Sequence, residues 1–223
     1  MRFLIVFPAI FVLSGLFSRY GSAQTKPFTV LAMGDSTTAG TPGFYSPVEK
    51  PPKGSGDETS QYAYWILQNH PDWVLLNRGV RGQRTDQILR RFKNDLKTFT
   101  PDAAVILAGV NDIYQGYPEE DVMTNLREMY NLALASHAKV VACTILPYDI
   151  STAQAREKMK RINEWIRSYA QEQKFLFCDT FLFLSDPANP GHLTGTPDGI
   201  HPDVSGYRKM GEVISEVLER ASA

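Results

Sequence analysis

A serine, an aspartate and a histidine lie in turn-rich segments where their side chains could together perform acyl transfer. Ser36 follows the apolar run Phe28–Met33 in the motif GDST, and Asp198 and His201 share the turn DGIHP. Acyl transfer requires a nucleophile, a base that takes its proton and a group that orients the base. The sequence therefore predicts Ser36 as nucleophile, His201 as base and Asp198 as the orienting carboxylate.

The same chemistry requires hydrogen-bond donors for the negative charge that develops on the substrate oxygen. The side-chain amide of Asn111, in the motif GVND, could supply one such donor. The glycine-rich segment 77–82 (NRGVRG) and the turn at Ser36 offer backbone N–H groups. These segments predict an oxyanion hole beside the nucleophile.

Five short apolar runs position these polar segments. They are Phe28–Met33, Trp73–Leu76, Ala103–Ala108, Lys139–Leu146 and Phe175–Cys178. Each is almost continuously hydrophobic, which is typical of strands buried on both faces of a parallel sheet. Each polar segment follows one of these runs, and ligands bind at the carboxyl ends of the strands in an open α/β sheet.

Helical patterns alternate with the apolar runs, which predicts a doubly wound α/β fold. The apolar positions on the predicted helix faces are Ile88, Phe92, Leu96 and Phe99; Val122, Leu126, Met129 and Ala133; and Val204, Tyr207, Met210, Ile214 and Val217. Pro118 marks one helix start, and Ser151 with Gln154 predicts a capping box at another. Thr41–Ser60 and Ser185–Gly199 lack periodicity and are predicted to be long loops.

The motifs GDST, N-x-G-x-x-G, GVND and DGIHP, in this order from about Val30 to Pro202, resemble the four blocks of the GDSL/SGNH hydrolases. The resemblance implies a flavodoxin-like three-layer α/β/α sandwich with a five-stranded parallel sheet. It also implies a serine esterase without a cofactor. Thr37 stands where the family name has Leu, and we expect no effect on the chemistry.

The resemblance assigns roles residue by residue. The block-one serine corresponds to Ser36, and the last block's aspartate and histidine correspond to Asp198 and His201. The block-three asparagine corresponds to Asn111. Counted from the asparagine that opens block two, the oxyanion glycine corresponds to Gly82, with Gly79 as the turn-forming glycine. The implied oxyanion hole therefore consists of Ser36, Gly82 and Asn111.

Composition excludes several classes of protein. Lys plus Arg is 23 and Asp plus Glu is 24, which argues against nucleic acid as the main partner. Two cysteines exclude a disulfide scaffold and a four-cysteine zinc site. Cys143 and Cys178 fall in strands predicted to be neighbours. We expect free thiols, and a disulfide between them is the alternative. Asp35, Asp112, Asp198 and His201 could in principle bind a metal, but no histidine pair at ligand spacing accompanies them, so no metal is expected.

The first 23 residues have the layout of a secretory signal peptide. Arg2 precedes the apolar run Phe3–Phe17, and Gly21-Ser22-Ala23 offers a cleavage site before Gln24. We therefore expect a single hydrolase domain at residues 24–223, without a membrane anchor, in a secreted or periplasmic protein.

The sequence thus predicts a secreted serine esterase, with a carbohydrate O-acetyl ester as the favoured substrate. Aromatic residues that could stack on sugar rings are Phe44, Tyr45, Tyr62, Trp65 and Tyr114, although Tyr62 and Trp65 have helical spacing that also fits a core. A lipid or lysophospholipid esterase and a thioesterase are alternatives. A non-catalytic carbohydrate-binding protein on the same fold and a metal-dependent phosphoesterase are alternatives of other classes. Asp35 and Asp112 are predicted to brace the turns beside Ser36 and Asn111, and His192 is expected in a solvated loop.

Overall fold

The structure is a computed structural model, and it describes residues 26–222. Its strands are β1 (Thr29–Gly34), β2 (Phe44–Tyr45), β3 (Ser55–Gly56), β4 (Val74–Gly79), β5 (Ala103–Leu107), β6 (Lys139–Cys143), β7 (Leu176–Cys178), β8 (Ser185–Asp186) and β9 (Asn189–Leu193). Five of them form one parallel sheet in the order β4-β1-β5-β6-β7. The predicted α/β fold with a five-stranded parallel sheet is confirmed. The predicted signal peptide, residues 1–23, lies outside the described residues.

Helices cover both faces of this sheet. They are α1 (Ser36–Ala39), α2 (Tyr62–Asn69), α3 (Thr85–Phe99), α4 (Val110–Tyr114), α5 (Glu119–Ala135), α6 (Ala153–Gln173), α7 (Thr180–Leu184) and α8 (Val204–Ser222). Leu31 and Met33 of β1 pack in a core cluster with α3, α5 and α6, whereas Val30 and Ala32 pack in a second cluster with α2 and α8. Because side chains alternate across a strand, the two clusters occupy opposite faces of the sheet.

Three element boundaries differ from the sequence prediction. β4 continues to Gly79, because its polar end pairs in register with β1. β6 ends at Cys143, earlier than the apolar run, which extends to Leu146. The predicted Ser151–Gln154 capping box is wrong: Thr152 caps α6, and its Oγ1 accepts a hydrogen bond from Ala155 N at 3.1 Å.

The two predicted long loops contain short elements that periodicity could not reveal. Residues 41–60 hold the antiparallel pair β2–β3 and a 3₁₀ helix at Glu58–Ser60. Residues 185–199 hold the antiparallel pair β8–β9. Tertiary contacts stabilise the first of these segments, since Ser46 Oγ donates to the carbonyl of Gly79 at 2.6 Å. We call residues 41–57 the hairpin segment.

Cys143 and Cys178 are register partners at the ends of β6 and β7, and both thiols are free and buried. A hydrogen bond with Cys178 and burial raise the pKa of the Cys143 thiol well above its usual value. The Cys143 thiol is therefore protonated, and both thiols fill the core. Among residues 26–222, no helix combines the length and the apolar character that a membrane crossing needs.

Candidate active site

Ser36 occupies the tight turn between β1 and α1. It is the first residue of α1, and Asp35 caps this helix by accepting a hydrogen bond from Thr37 N at 3.0 Å. The first N–H groups of a helix have no intrahelical acceptor, so the Ser36 N–H is available to a ligand. Ser36 therefore offers both its hydroxyl and its backbone N–H at the end of β1.

His201 joins Ser36 to Asp198 in a continuous chain of hydrogen bonds. The Nε2 atom of His201 lies 2.9 Å from Ser36 Oγ, and its Nδ1 atom lies 2.7 Å from Asp198 Oδ2. The other carboxylate oxygen of Asp198 accepts from the backbone N–H groups of Ile200 and His201, at 3.0 and 2.8 Å. The turn thus fixes the carboxylate, and the carboxylate fixes the imidazole. Nucleophile activation by a general base requires this geometry.

The electrostatics of the turn keep Asp198 ionised. Partial burial raises the pKa of Asp198, but hydrogen bonds from the backbone and ring of His201 and from Ile200 N outweigh it. The net pKa therefore lies below the usual value for aspartate. An ionised carboxylate at Nδ1 stabilises the imidazolium that forms when His201 takes a proton.

The two glycines of the motif NRGVRG have different environments. The N–H of Gly79 donates to Asn77 Oδ1 at 2.9 Å, and a Cβ on Gly79 would overlap the backbone of Thr38 and Ala39. Gly82 has a φ of 71° and would meet no heavy atom within 4 Å of an added Cβ, so it faces open space. No acceptor among the described residues takes the Gly82 N–H. Of the two, Gly82 has the donor that a substrate could use.

Asn111 lies at the second position of α4, at the mouth of the same cleft. Its Nδ2 atom donates to the carbonyl of Gln83 at 3.0 Å. An amide nitrogen carries two hydrogens, so one remains for a ligand. Gln83 is held in turn by Arg91, whose Nε donates to Gln83 Oε1 at 2.8 Å and whose Nη2 donates to the carbonyl of Gly34 at 3.0 Å.

The two remaining aspartates of the motifs have structural hydrogen bonds. Asp112 accepts from Thr85 N and Thr85 Oγ1, at 2.9 and 2.6 Å, and so caps α3 rather than the Asn111 loop. Burial raises the pKa of Asp112. Burial likewise raises the pKa of Asp35 to about 7, and the charge of Asp112 adds to this effect. Within residues 26–222, no three His, Cys, Asp or Glu side chains are grouped to hold a metal ion.

The cleft that contains Ser36 and His201 has a volume of about 270 Å³. Its lining residues are Ser36, Thr41, Arg81, Gly82, Val110, Asn111, Tyr114, Tyr148, Ile200 and His201. A larger cavity of about 470 Å³ lies between α6, α7 and β9, but it includes none of the three hydrogen-bonded residues. The chemistry therefore points to the smaller cleft.

Of the five aromatic residues considered for sugar stacking, Tyr114 alone lines this cleft, and it is 64% exposed. Tyr62 is fully buried, and Trp65 packs against the same core cluster. Phe44 is buried, and the ring of Tyr45 is covered by the guanidinium of Arg81 at 3.5 Å. The core interpretation of the helical aromatics is correct.

Sequence reasoning missed Arg81 and Tyr148 as cleft residues. Arg81 could have been found from its position directly before Gly82, and Tyr148 from its position just beyond the fourth apolar run. His192 does not line the cleft. It lies on β9, partly exposed, with Nδ1 at 3.5 Å from Asp149 Oδ1.

The sequence matches one known protein family over most of its length. The model of the GDSL-like lipase/acylhydrolase family matches residues 32–209. An arylesterase of Vibrio mimicus is 30% identical over 130 residues, which cover 58% of this chain and 60% of the arylesterase. The alignment thus spans about three fifths of that relative's own length.

Two solved structures share the fold. The GDSL-like lipase of Bacteroides thetaiotaomicron VPI-5482 superposes with a TM-score of 0.67 at 26% identity, covering 87% of this chain and 89% of the lipase. A member of the lipolytic G-D-S-L family from Veillonella parvula DSM 2008 superposes with a TM-score of 0.72 at 20% identity, covering 86% of this chain and 98% of that one. Motifs, fold and family match agree, and this chain belongs to the GDSL-like lipase/acylhydrolase family.

Proposed function

We propose that this protein is a serine esterase that releases short acyl groups, acetyl above all, from carbohydrate esters. The observation that carries the proposal is the hydrogen-bonded chain Ser36–His201–Asp198, which opens into a cleft with unused N–H donors. Membership of a family of lipases and acylhydrolases supports ester hydrolysis, as does the similarity to an arylesterase.

The geometry supports a two-step reaction. Ser36 Oγ attacks the ester carbonyl carbon while its proton passes to His201 Nε2, and Asp198 stabilises the resulting imidazolium. His201 then gives this proton to the leaving alcohol, and the acyl group stays on Ser36. Water, deprotonated by His201, attacks the acyl-enzyme and releases the carboxylic acid and free Ser36.

The oxyanion of each tetrahedral intermediate would lie among three donors. These are the Ser36 N–H, the Gly82 N–H and the second amide hydrogen of Asn111. All three residues line the cleft. Donors that are fixed before the reaction need no reorganisation when the charge develops, so they stabilise the transition state more than the ground state.

The size of the cleft favours a short acyl group. Val110 and Ile200 also line a neighbouring cavity with Ile145 and Leu146, and its volume is only about 10 Å³. This is about the minimum that holds one water molecule. A long acyl chain would therefore find no room in this neighbouring cavity.

We assign the alcohol part of the substrate to the part of the cleft that is lined by Tyr114. Its ring is 64% exposed and lines the cleft together with Asn111. An exposed aromatic face at the mouth of a site can pack against the apolar face of a sugar ring. This position supports a carbohydrate as the alcohol part of the substrate.

We also propose that the protein acts outside the cytoplasm. The support is the signal-peptide layout of residues 1–23, with a charged start, an apolar run and a small-residue cleavage site.

The proposal is tested with p-nitrophenyl esters of two, four, eight and twelve carbons and with a panel of acetylated monosaccharides and xylo-oligosaccharides. We expect acetate release from the sugars, and we expect kcat/KM to fall steeply beyond the four-carbon ester. Ser36→Ala should abolish turnover of every substrate with the fold intact by circular dichroism. A preference for the eight- or twelve-carbon ester would contradict the short-acyl assignment and favour a lipid esterase.

A variant pair tests the alcohol side. Tyr114→Ala should raise KM for sugar acetates several-fold and leave KM for ethyl acetate unchanged, because ethanol is too small to reach the ring. Tyr114→Phe keeps the aromatic face and serves as the matched control with near-normal KM. Equal KM values for all three proteins on sugar acetates would remove Tyr114 from the substrate site.

A further inference from the structure

Arg81 connects the residue that bears the free N–H, Gly82, to the hairpin segment (residues 41–57). Its Nε donates to Thr41 Oγ1 at 2.9 Å, and its Nη2 donates to the carbonyl of Phe44 at 2.8 Å. The guanidinium also lies 3.5 Å from the centroid of the Tyr45 ring. A planar guanidinium with several fixed donors suits such a combination of hydrogen bonds and stacking.

The backbone of Arg81 is held by the same segment. Its N–H donates to Glu49 Oε1 at 3.0 Å, and the other carboxylate oxygen of Glu49 accepts from Ser46 N at 3.0 Å. Ser46 Oγ in turn donates to the carbonyl of Gly79 at 2.6 Å. The hairpin segment therefore forms hydrogen bonds with both the main chain and the side chain of Arg81, directly before Gly82.

Gly82 itself has few restraints. Its φ of 71° is in the left-handed region, and the space where a Cβ would stand is empty to 4 Å. On its other side, the carbonyl of Gln83 accepts from Asn111 Nδ2 at 3.0 Å. The direction of the Gly82 N–H thus depends on how its two neighbours are fixed.

We propose that Arg81 is a positioning residue of the oxyanion hole, which orients the Gly82 N–H by anchoring its own peptide to the hairpin segment. The hairpin segment is then a structural part of the oxyanion hole as well as a wall of the cleft. An oxyanion donor acts only when it points at the place where charge develops, and displacements of about 1 Å can cost about 100-fold in rate. This inference rests on the esterase function proposed above.

The first test compares Arg81→Met and Arg81→Lys with wild type on p-nitrophenyl acetate. Methionine keeps the apolar stem, and lysine keeps the charge but cannot bond Thr41 and Phe44 together while stacking on Tyr45. We expect both variants to lose about 10- to 100-fold in kcat with little change in KM, since a misdirected donor affects the transition state only.

A second readout separates positioning from mere stability. Phenylboronic acid adds to Ser36 Oγ, the displaced proton passes to His201, and a boron-bound oxygen of the tetrahedral adduct would occupy the oxyanion hole. Its inhibition constant should rise in Arg81→Met by a factor similar to the loss in kcat/KM. Unchanged inhibition by the boronic acid, or a loss explained by a smaller folded fraction at the assay temperature, would overturn the inference.

One control variant and one further test variant are matched to the contacts. Arg84→Met removes an arginine of the same loop that stacks on Tyr117 at 4.5 Å and bonds Asp86 at 3.1 Å, without contact to the hairpin segment. We expect its kcat to stay within about threefold of wild type. Glu49→Ala removes both acceptors, for the Arg81 N–H and for the Ser46 N–H, and should share the kcat loss.

The outcomes also separate this inference from the proposed function. A wild-type protein inactive on p-nitrophenyl acetate would refute the esterase function. An active wild type, with Arg81→Met equal to Arg84→Met, would refute the positioning role alone. If Arg81 instead bound substrate directly, KM would rise at unchanged kcat, and that result would also overturn the inference.

Discussion

Asp35 is a carboxylate buried directly beside Ser36, and Asp35→Asn should change how the stability of the protein depends on pH. The side chain caps α1 through one hydrogen bond, from Thr37 N at 3.0 Å, and its pKa is raised by burial from 3.8 to about 7. Asparagine has nearly the same shape and keeps the accepting oxygen, but it carries no charge. The substitution therefore removes the titration and retains the cap.

Stability should fall as the pH rises, because the pKa of Asp35 is higher in the folded protein than in the unfolded chain. The folded protein binds the Asp35 proton more tightly, so this group's contribution to stability is complete below pH 4 and is lost as the pH rises through 7. A shift of about three units corresponds to a total of about 4 kcal/mol. About 2.5 kcal/mol of this stability is lost between pH 5 and pH 8; the rest is lost below pH 5, where the unfolded chain has already released most of its proton.

The assay is urea unfolding of wild type and Asp35→Asn at pH 5 and pH 8. We expect the free energy of unfolding of wild type to fall by about 2.5 kcal/mol relative to the variant. Asp57→Asn is the matched control, because Asp57 caps the 3₁₀ helix through Thr59 N, also at 3.0 Å, but is exposed. Hydrogen bonds from Thr59 lower its pKa, so its titration lies below pH 5. An equal pH dependence of wild type and Asp35→Asn would refute the argument from burial.

Other predictions concern turnover and export. Asn111→Ala should lower kcat by about 10²–10³-fold with little change in KM, measured by steady-state kinetics on p-nitrophenyl acetate. An unchanged kcat would contradict an oxyanion role for Asn111. Asp198→Asn should cost on the order of 10⁴ in kcat, because the wrong tautomer of His201 becomes stable; a small loss would reduce Asp198 to a structural role. Burial raises the pKa of Asp198, but hydrogen bonds from His201 and Ile200 N lower it by more, so Asp198 should stay ionised from pH 5 to 9; a loss of kcat in this range caused by protonation of Asp198 would contradict this. N-terminal sequencing of exported protein should begin at Gln24, and a cytosolic protein that begins at Met1 would contradict secretion.

The sheet could be predicted from the sequence because its strands are buried on both faces. All six residues of β1 and all five of β5 are buried, so the apolar runs mark these strands without ambiguity. The polar end of β4 was not recognised as strand. Asn77 pairs with Ala32 in register, and this backbone pairing leaves no trace in the hydrophobic pattern.

The candidate catalytic residues could be placed near one another from the sequence, because parallel strands bring their carboxyl ends to one edge. The hairpin segment could not be predicted, since its fold depends on contacts such as Ser46 with Gly79 and Arg81 with Thr41, which are 33 and 40 positions apart. The raised pKa of Asp35 could not be predicted either, because it depends on burial by the whole fold. The cap of α6 by Thr152 instead of Ser151 shows that two adjacent hydroxyl residues compete for one role.

The hydrogen bond between Ser36 Oγ and His201 Nε2 joins residues 165 positions apart, and this has a consequence for the protein during its synthesis. A nascent chain that stops before Asp198 contains Ser36, Gly82 and Asn111 but lacks the base. The turn that carries the base leads directly into α8, which packs on α2 across the sheet face. The proposed ester hydrolysis would therefore begin only after the residues up to His201 have been made and folded. A ribosome that terminates before Asp198 would leave a product without this activity, and a protease that removes α8 would uncover the core that α8 shares with α2.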